Sequence, residues 1–100
     1  MSSSDDGFAF APPPFKPDEA LVALKRQLRD LKLGERGNAF EQRGKRVLEL
    51  VVEGNAIQAR VARRLMLTPE WDRIAVKSAT DQRKLVDEVK KRLARWEHDE

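Results

Sequence analysis

The chain contains no cysteine and no tyrosine, and its only histidine is His98. Without thiols there is neither a disulfide framework nor thiolate chemistry. One histidine cannot complete a zinc site, which needs several nitrogen or sulfur ligands, and a chain end does not hold a general base within reach of a proton. We therefore expect no catalytic residue, no metal ligand and no cofactor-binding residue, so the protein is not expected to be an enzyme.

Long apolar runs and phosphate-binding loops are also missing. No stretch approaches the roughly 18 apolar residues that a membrane-spanning helix needs. Residues 1–15 lack the basic start and the continuous apolar segment of a secretory signal. Gly34 and Gly37 are too sparse to form a glycine-rich loop around a phosphate. These absences predict a protein that does not act at a membrane and that is located in the cytoplasm.

Charge is plentiful but unevenly distributed. The net charge is +3, and the positive excess lies in residues 36–68, which carry seven basic and three acidic side chains. Residues 54–69 contain no acidic residue, whereas Arg60, Arg63 and Arg64 are present. Such a bias can serve an anionic partner, although a solvated, arginine-rich strand and loop explains it more simply.

The first sixteen residues differ in composition from the rest of the chain. They are rich in serine, aspartate, glycine and proline, and Pro12–Pro14 favours a polyproline II conformation, so residues 1–16 are predicted to be a flexible tail. Phe8, Phe10 and Phe15 can either dock on the domain or bind a partner. Phe15 directly precedes a helix start, where an apolar residue packs as a hydrophobic staple.

The segment from Arg46 to Arg63 carries the clearest pattern, that of a β-hairpin about Gly54-Asn55. Glycine as the first loop residue favours a type II′ turn, because it adopts a positive φ without steric cost. This turn fixes the register of the two strands. The predicted cross-strand pairs are Val52–Ile57, Leu50–Ala59 and Leu48–Val61 on an apolar face, and Val51–Gln58, Glu49–Arg60 and Val47–Ala62 on the opposite face.

A helical interpretation of the same segment is also open. Two apolar stripes recur at helical spacing, formed by Phe40, Val47, Leu48, Val51 and Val52 and by Ile57, Val61 and Leu65. Gly54-Asn55 would then end one helix and begin the next. The β-branched valines favour strands, and so does the coincidence of the turn, the register and the opposite charges of Glu49 and Arg60.

Apolar residues at helical spacing on either side of the hairpin predict two helices. The first begins at Pro17 or Asp18 and ends at Gly34, and the second begins near Ser78 and ends at Trp96. Their predicted buried faces consist of Leu21, Leu24, Leu28 and Leu31 in the first helix and Leu85, Val86, Val89, Leu93 and Trp96 in the second.

Two shorter strands, at 39–43 and 72–77, complete the predicted fold, and residues 35–38 are predicted to be a polar loop. Together these elements predict one α+β domain at 17–97: a helix, a four-stranded antiparallel meander and a helix, with both helices on one face of the sheet. Residues 98–100 are expected to fray. If the helical interpretation holds instead, the fold is an all-α bundle of four or five helices.

The basic and apolar residues around the predicted sheet form the candidate interaction surface. They are Arg60, Arg63, Arg64, Leu65, Met66, Trp71, Arg73 and Lys77. We expect a non-catalytic module that binds an unknown protein partner or a second copy of itself. The alternative is weak, largely non-specific binding of nucleic acid by the basic sheet face. We favour the first, because this face offers only Trp71 for base stacking, and a tryptophan near Pro69 more often closes the edge of a core.

Overall fold

The computed structural model describes residues 15–97, and residues 1–14 and 98–100, with most of the predicted tail and the predicted frayed end, lie outside them. The described elements are α1 (Pro17–Asp30), β1 (Gly34–Arg36), β2 (Ala39–Gln42), β3 (Lys45–Glu53), β4 (Ala56–Ala62), β5 (Trp71–Val76) and α2 (Ala79–Trp96). The strands form one antiparallel sheet in the order of the sequence. The predicted α+β architecture is confirmed, and the helical bundle is excluded.

The central hairpin forms in the predicted register. Of the six predicted pairs, five are present: Leu48–Val61, Glu49–Arg60, Leu50–Ala59, Val51–Gln58 and Val52–Ile57. Gly54 has a φ of +57°, whereas Asn55 does not have a positive φ. A positive φ at the first loop residue alone is the requirement of a type II′ turn.

The sixth predicted pair, between Val47 and Ala62, does not form because β3 carries a bulge. Phe40 of β2 pairs with Leu48 and Glu41 pairs with Arg46, so Val47 is an extra residue in β3. A bulge changes the direction of the side chains around it, and Val47 and Leu48 are both buried although they are adjacent. The prediction that Val47 and Ala62 are exposed to solvent is wrong, since both are buried.

The helices cover one face of the sheet and enclose the core. Leu24 and Leu28 of α1, and Leu85 and Val89 of α2, are buried there, as their spacing predicted. Phe15 packs against the same core as a partly buried side chain. At the start of α2, Ser78 accepts a hydrogen bond from the backbone N–H of Asp81 at 3.1 Å and caps the helix.

The structure has one strand more than the sequence predicted. The strand β1 falls where a polar loop was expected, and all three of its residues are exposed. A strand with no buried position has no alternation of apolar and polar residues, which is the signal that strand prediction relies on. At the edge of the sheet, β1 pairs only with β2.

The first helix ends earlier than Gly34. Its last residue is Asp30, and Lys32 adopts the left-handed conformation with a φ of +72°. The backbone N–H of Leu33 donates to the carbonyl of Leu28 at 3.4 Å, and that of Lys32 donates to Arg29 at 2.9 Å. These two hydrogen bonds define a Schellman motif, in which lysine occupies the position that glycine usually takes.

Replacing Lys32 by glycine should therefore stabilise the domain. The left-handed conformation costs a residue with a Cβ about 1–2 kcal/mol, and the extra flexibility of an unfolded glycine offsets about 0.5–1 kcal/mol of that. We expect urea unfolding of Lys32→Gly to give a free energy of unfolding about 0.5–1 kcal/mol higher. Lys32→Ala keeps the Cβ and is the matched control; an equal gain in both variants would contradict backbone strain at Lys32.

Candidate interaction surface

The eight predicted surface residues are divided between two neighbouring regions. Arg60, Trp71 and Arg73 lie on the sheet face opposite the helices, which we call the open face, and Lys77 directly follows β5. Arg63, Arg64, Leu65 and Met66 lie in the loop between β4 and β5, which we call the 63–70 loop. Arg60 and Trp71 are at the end of the open face that adjoins this loop, because Ala62 and Trp71 form the last pair of β4 and β5.

The arginines of the open face are largely paired with glutamates. Glu49 accepts hydrogen bonds from Arg60 Nε at 3.0 Å and from Arg46 Nη1 at 3.1 Å. Arg36 Nε lies 3.6 Å from Glu41 Oε1 on the neighbouring strand. Partial burial would raise the pKa of Glu49, but the hydrogen bonds from Arg60 and Arg46 outweigh it and hold that pKa below its ordinary value.

Within the described part of the chain, Arg73 is the arginine of this face that lacks such a partner. It lies opposite Arg60 in the ladder, is exposed, and forms no ion pair among the described residues. Lys77 is also exposed, and within residues 15–97 its only hydrogen bond is that of its backbone N–H, which donates to Asp81 Oδ2 at 3.0 Å. The open face therefore offers two uncompensated cations in the part of the chain that is described.

Among the described residues, Trp71 is the one aromatic side chain of the open face, and it is not free for stacking. Trp71 is partly buried and packs against the core, as its position near Pro69 predicted. The guanidinium carbon of Arg60 lies 5.4 Å from the centre of its ring, in a cation–π contact. A base could stack on this ring only after Arg60 moved away from it.

The two ends of the 63–70 loop are held in place by hydrogen bonds and ion pairs of Arg63. Its Nε donates to Asp72 Oδ1 at 2.7 Å, and its Nη1 lies 3.5 Å from Glu70 Oε1. The backbone N–H of Arg63 donates to the carbonyl of Glu70 at 2.9 Å, and its own carbonyl accepts from Trp96 Nε1 at 3.5 Å. The Asp72 carboxylate raises the pKa of Arg63 by hydrogen bonding and by its charge.

Arg92 joins the loop end of the sheet to α2, a role that was not predicted from the sequence. Its guanidinium contacts Asp72 Oδ2 at 2.9 Å and Glu88 Oε2 at 2.8 Å, and it donates to the carbonyl of Ala62 at 3.1 Å. The side chain is only 11% exposed. Hydrogen bonds from Arg63 and Arg92 lower the pKa of Asp72, and the hydrogen bond from Arg92 lowers the pKa of Glu88.

Between its anchored ends, the 63–70 loop exposes large apolar side chains. Met66 is 44% exposed and Leu67 is 81% exposed, whereas Leu65 packs partly against the core. Arg64 is exposed and makes no hydrogen bond or ion pair within residues 15–97. Leu67 was not among the predicted site residues, although it is the most exposed large apolar residue described.

A depression of about 410 Å³, which we call the loop pocket, separates the loop from the last turns of α2. It is lined by Arg63, Arg64, Met66, Glu70, Asp72, Arg92 and Arg95. Four of these seven residues are arginines and two are acidic. The sequence predicted the two loop arginines, but it did not predict Arg92 or Arg95, because they follow 28 and more residues later in the chain.

Neither a cluster of metal ligands nor a membrane-spanning helix is present among the described residues. Within 15–97 no group of three or more His, Cys, Asp and Glu side chains is placed to hold a metal ion. In the same range, no helix is both long enough and apolar enough to cross a bilayer. No protein-family model, curated protein or solved structure matches the chain.

Proposed function

We propose that the domain is a non-catalytic, cytoplasmic interaction module that binds a protein partner, or a second copy of itself, through the 63–70 loop. The observation that carries this proposal is the exposure of Met66 and Leu67 next to Arg64. Protein interfaces are enriched in methionine and arginine, and contiguous exposed apolar patches mark interaction sites.

The anchoring of the loop supports the proposal. Arg63 is bonded to Asp72 and Glu70, and the Trp96 indole donates to its carbonyl, so the ends of the loop are fixed to β5 and α2. A surface that is already ordered loses less conformational entropy when it binds, and this favours affinity.

Nucleic-acid binding by the open face is the alternative function. The exposed cations of Arg73 and Lys77, which lack acidic partners within residues 15–97, are the observation in its favour. Against it, Arg60 would have to exchange Glu49 for a phosphate and leave the Trp71 ring. We therefore expect at most weak electrostatic binding of nucleic acid.

The proposed function is tested by comparing variants of two exposed apolar residues. The full chain is immobilised and used to capture proteins from its native cell, as wild type and as Leu67→Ser; sedimentation velocity of each measures self-association. We expect Leu67→Ser to reduce the retained partner or the dimer at least about tenfold, the effect of a loss of about 1.4 kcal/mol. Val22→Ser is the matched control, because Val22 is exposed on α1, and it should behave as wild type.

Equal retention by wild type and Leu67→Ser would contradict binding through this loop. The alternative function is tested on the same preparations by titration with labelled single-stranded DNA and RNA at two salt concentrations. Sub-micromolar affinity that falls steeply with salt and is lost in Arg73→Glu/Lys77→Glu would establish nucleic acid as the ligand. Arg60 is left unchanged in this variant, since a glutamate there would face Glu49.

A further inference from the structure

The loop pocket contains two kinds of arginine. Arg63 and Arg92 are fixed, because both contact the carboxylate of Asp72 and each has a further acidic contact. Arg64 has no hydrogen bond or ion pair among residues 15–97. The Arg95 side chain has none either in that range, and its charge acts only at longer range, where it helps to lower the pKa of Glu88.

The two arginines that lack an ion pair among residues 15–97 reach the pocket from different elements. Arg64 belongs to the 63–70 loop, and Arg95 lies in the last turn of α2. A guanidinium that lacks an acidic partner gains most from an added carboxylate, with which it forms charge-assisted and often bidentate hydrogen bonds. The position of these side chains on either side of the pocket therefore favours a negatively charged ligand.

The apolar side chains narrow the class of ligand further. Met66 lines the pocket, and Leu67 is its exposed neighbour in the chain. A phosphate or a nucleic-acid backbone would contact the arginines but would leave these two side chains in water. A ligand that carries both a carboxylate and an aliphatic side chain would cover both surfaces, as in an interface with an apolar centre and a charged rim.

We infer that the loop pocket binds an acidic segment of a partner protein that also carries aliphatic side chains, with a carboxylate between Arg64 and Arg95 and an aliphatic side chain against Met66 and Leu67. This inference rests on the proposed function and names the chemistry of the partner. The fixed arginines, Arg63 and Arg92, keep the pocket in shape through Asp72 and are not the main contacts.

Two synthetic amphipathic peptides of equal length and identical leucine pattern test the inference, one with glutamate and one with lysine at every polar position. Each is titrated into the isotope-labelled full chain and followed by amide chemical shifts. We expect the glutamate peptide to shift the amides of residues 63–67 and 92–96. Arg64→Glu/Arg95→Glu should weaken its affinity at least about tenfold per reversed charge, the effect of about 1.4 kcal/mol each.

The matched control is Arg83→Glu/Lys84→Glu, which changes the net charge equally. Both residues are exposed on α2, and Arg83 is twelve residues before Arg95, which corresponds to about 18 Å along a helix. The affinity of this variant for the glutamate peptide should lie within about twofold of the wild-type affinity, as expected for charges beyond a Debye length from the site. An equal loss in both double variants would show a response to net charge alone and would overturn the inference.

Three other results would also overturn it. In the first, the glutamate peptide does not bind. In the second, the lysine peptide binds as tightly as the glutamate peptide or more tightly. In the third, a single-stranded oligonucleotide shifts the same amides and binds more tightly than the glutamate peptide. If the glutamate peptide fails while Leu67→Ser still loses its captured partner, the interaction module stands and its partner has a different chemistry. If Leu67→Ser retains the captured partner and the dimer as wild type does, the proposed function itself fails.

Discussion

Replacing Leu50 by alanine is expected to lower the free energy of unfolding by about 2–5 kcal/mol, the range for a leucine removed from a packed core. Leu50 lies at the centre of β3, opposite Ala59, and is fully buried. A small neighbour such as Ala59 cannot fill the space that the leucine leaves, and the rigid sheet limits collapse around the cavity. Urea and thermal unfolding of the variant measure the loss.

The next residue in the strand provides the matched control. Val51 points to the open face and is 49% exposed, so Val51→Ala should cost less than about 1 kcal/mol, as expected for a partly exposed position. Equal losses at the two positions would mean that β3 does not have one core face and one solvent face.

Replacing Trp96 by alanine should have a comparable effect, about 3–5 kcal/mol, the range for a large aromatic residue removed from a core. Trp96 is the last residue of α2, yet its side chain is buried and its Nε1 donates to the carbonyl of Arg63. Its loss would remove apolar contacts and leave the loop end of the sheet without this hydrogen bond. Chemical unfolding followed by far-UV circular dichroism measures the change.

Lys91→Ala is the control on the same helix, because Lys91 is exposed, and it should change the stability by less than about 0.5 kcal/mol. Trp96→Phe keeps a ring but removes the N–H donor, so its stability should lie between those of wild type and Trp96→Ala. Unchanged stability in Trp96→Ala would show that the end of α2 is not docked on the sheet.

The central hairpin was predictable because independent signals agree on a single register. A glycine-first turn at Gly54-Asn55, the apolar alternation of Leu48 and Leu50, and the opposite charges of Glu49 and Arg60 each require the same pairing. A shift by one residue would violate all three at once. The sequence was therefore sufficient to predict the hairpin and, together with the two helices, the α+β class.

The bulge and the first strand depend on information that periodicity does not contain. Alternation assigns Val47 to the solvent side, but the pairing of Phe40 with Leu48 inserts Val47 as an extra residue, and it becomes buried. The strand β1 is exposed throughout and exists because β2 offers it a partner. Both features arise from neighbouring strands and not from the local sequence.

Only the part of the candidate site that lies in the 63–70 loop could be predicted from the sequence. Arg63, Arg64 and Met66 are close in sequence and were predicted together, whereas Arg92 and Arg95 look like ordinary basic residues near a helix C-terminus. Only the packing of α2 beside β5 brings them to the same pocket. The pairing of Glu49 with Arg60 was predicted, and it also explains why the open face is a weaker candidate than its arginine content indicates.

The sequential order of the five strands has a consequence for how the domain folds. Each strand pairs with the strand that precedes or follows it in the chain, so every sheet contact closes a short loop, and the longest of these is the 63–70 loop. Short loops lose little entropy on closure, and topologies dominated by them fold faster than those that join distant segments. The contacts of α1 with β3, β4 and α2 are different, because they join segments that are distant in the described chain. The sheet can therefore grow hairpin by hairpin during synthesis, whereas the core is sealed only after α2 has been made.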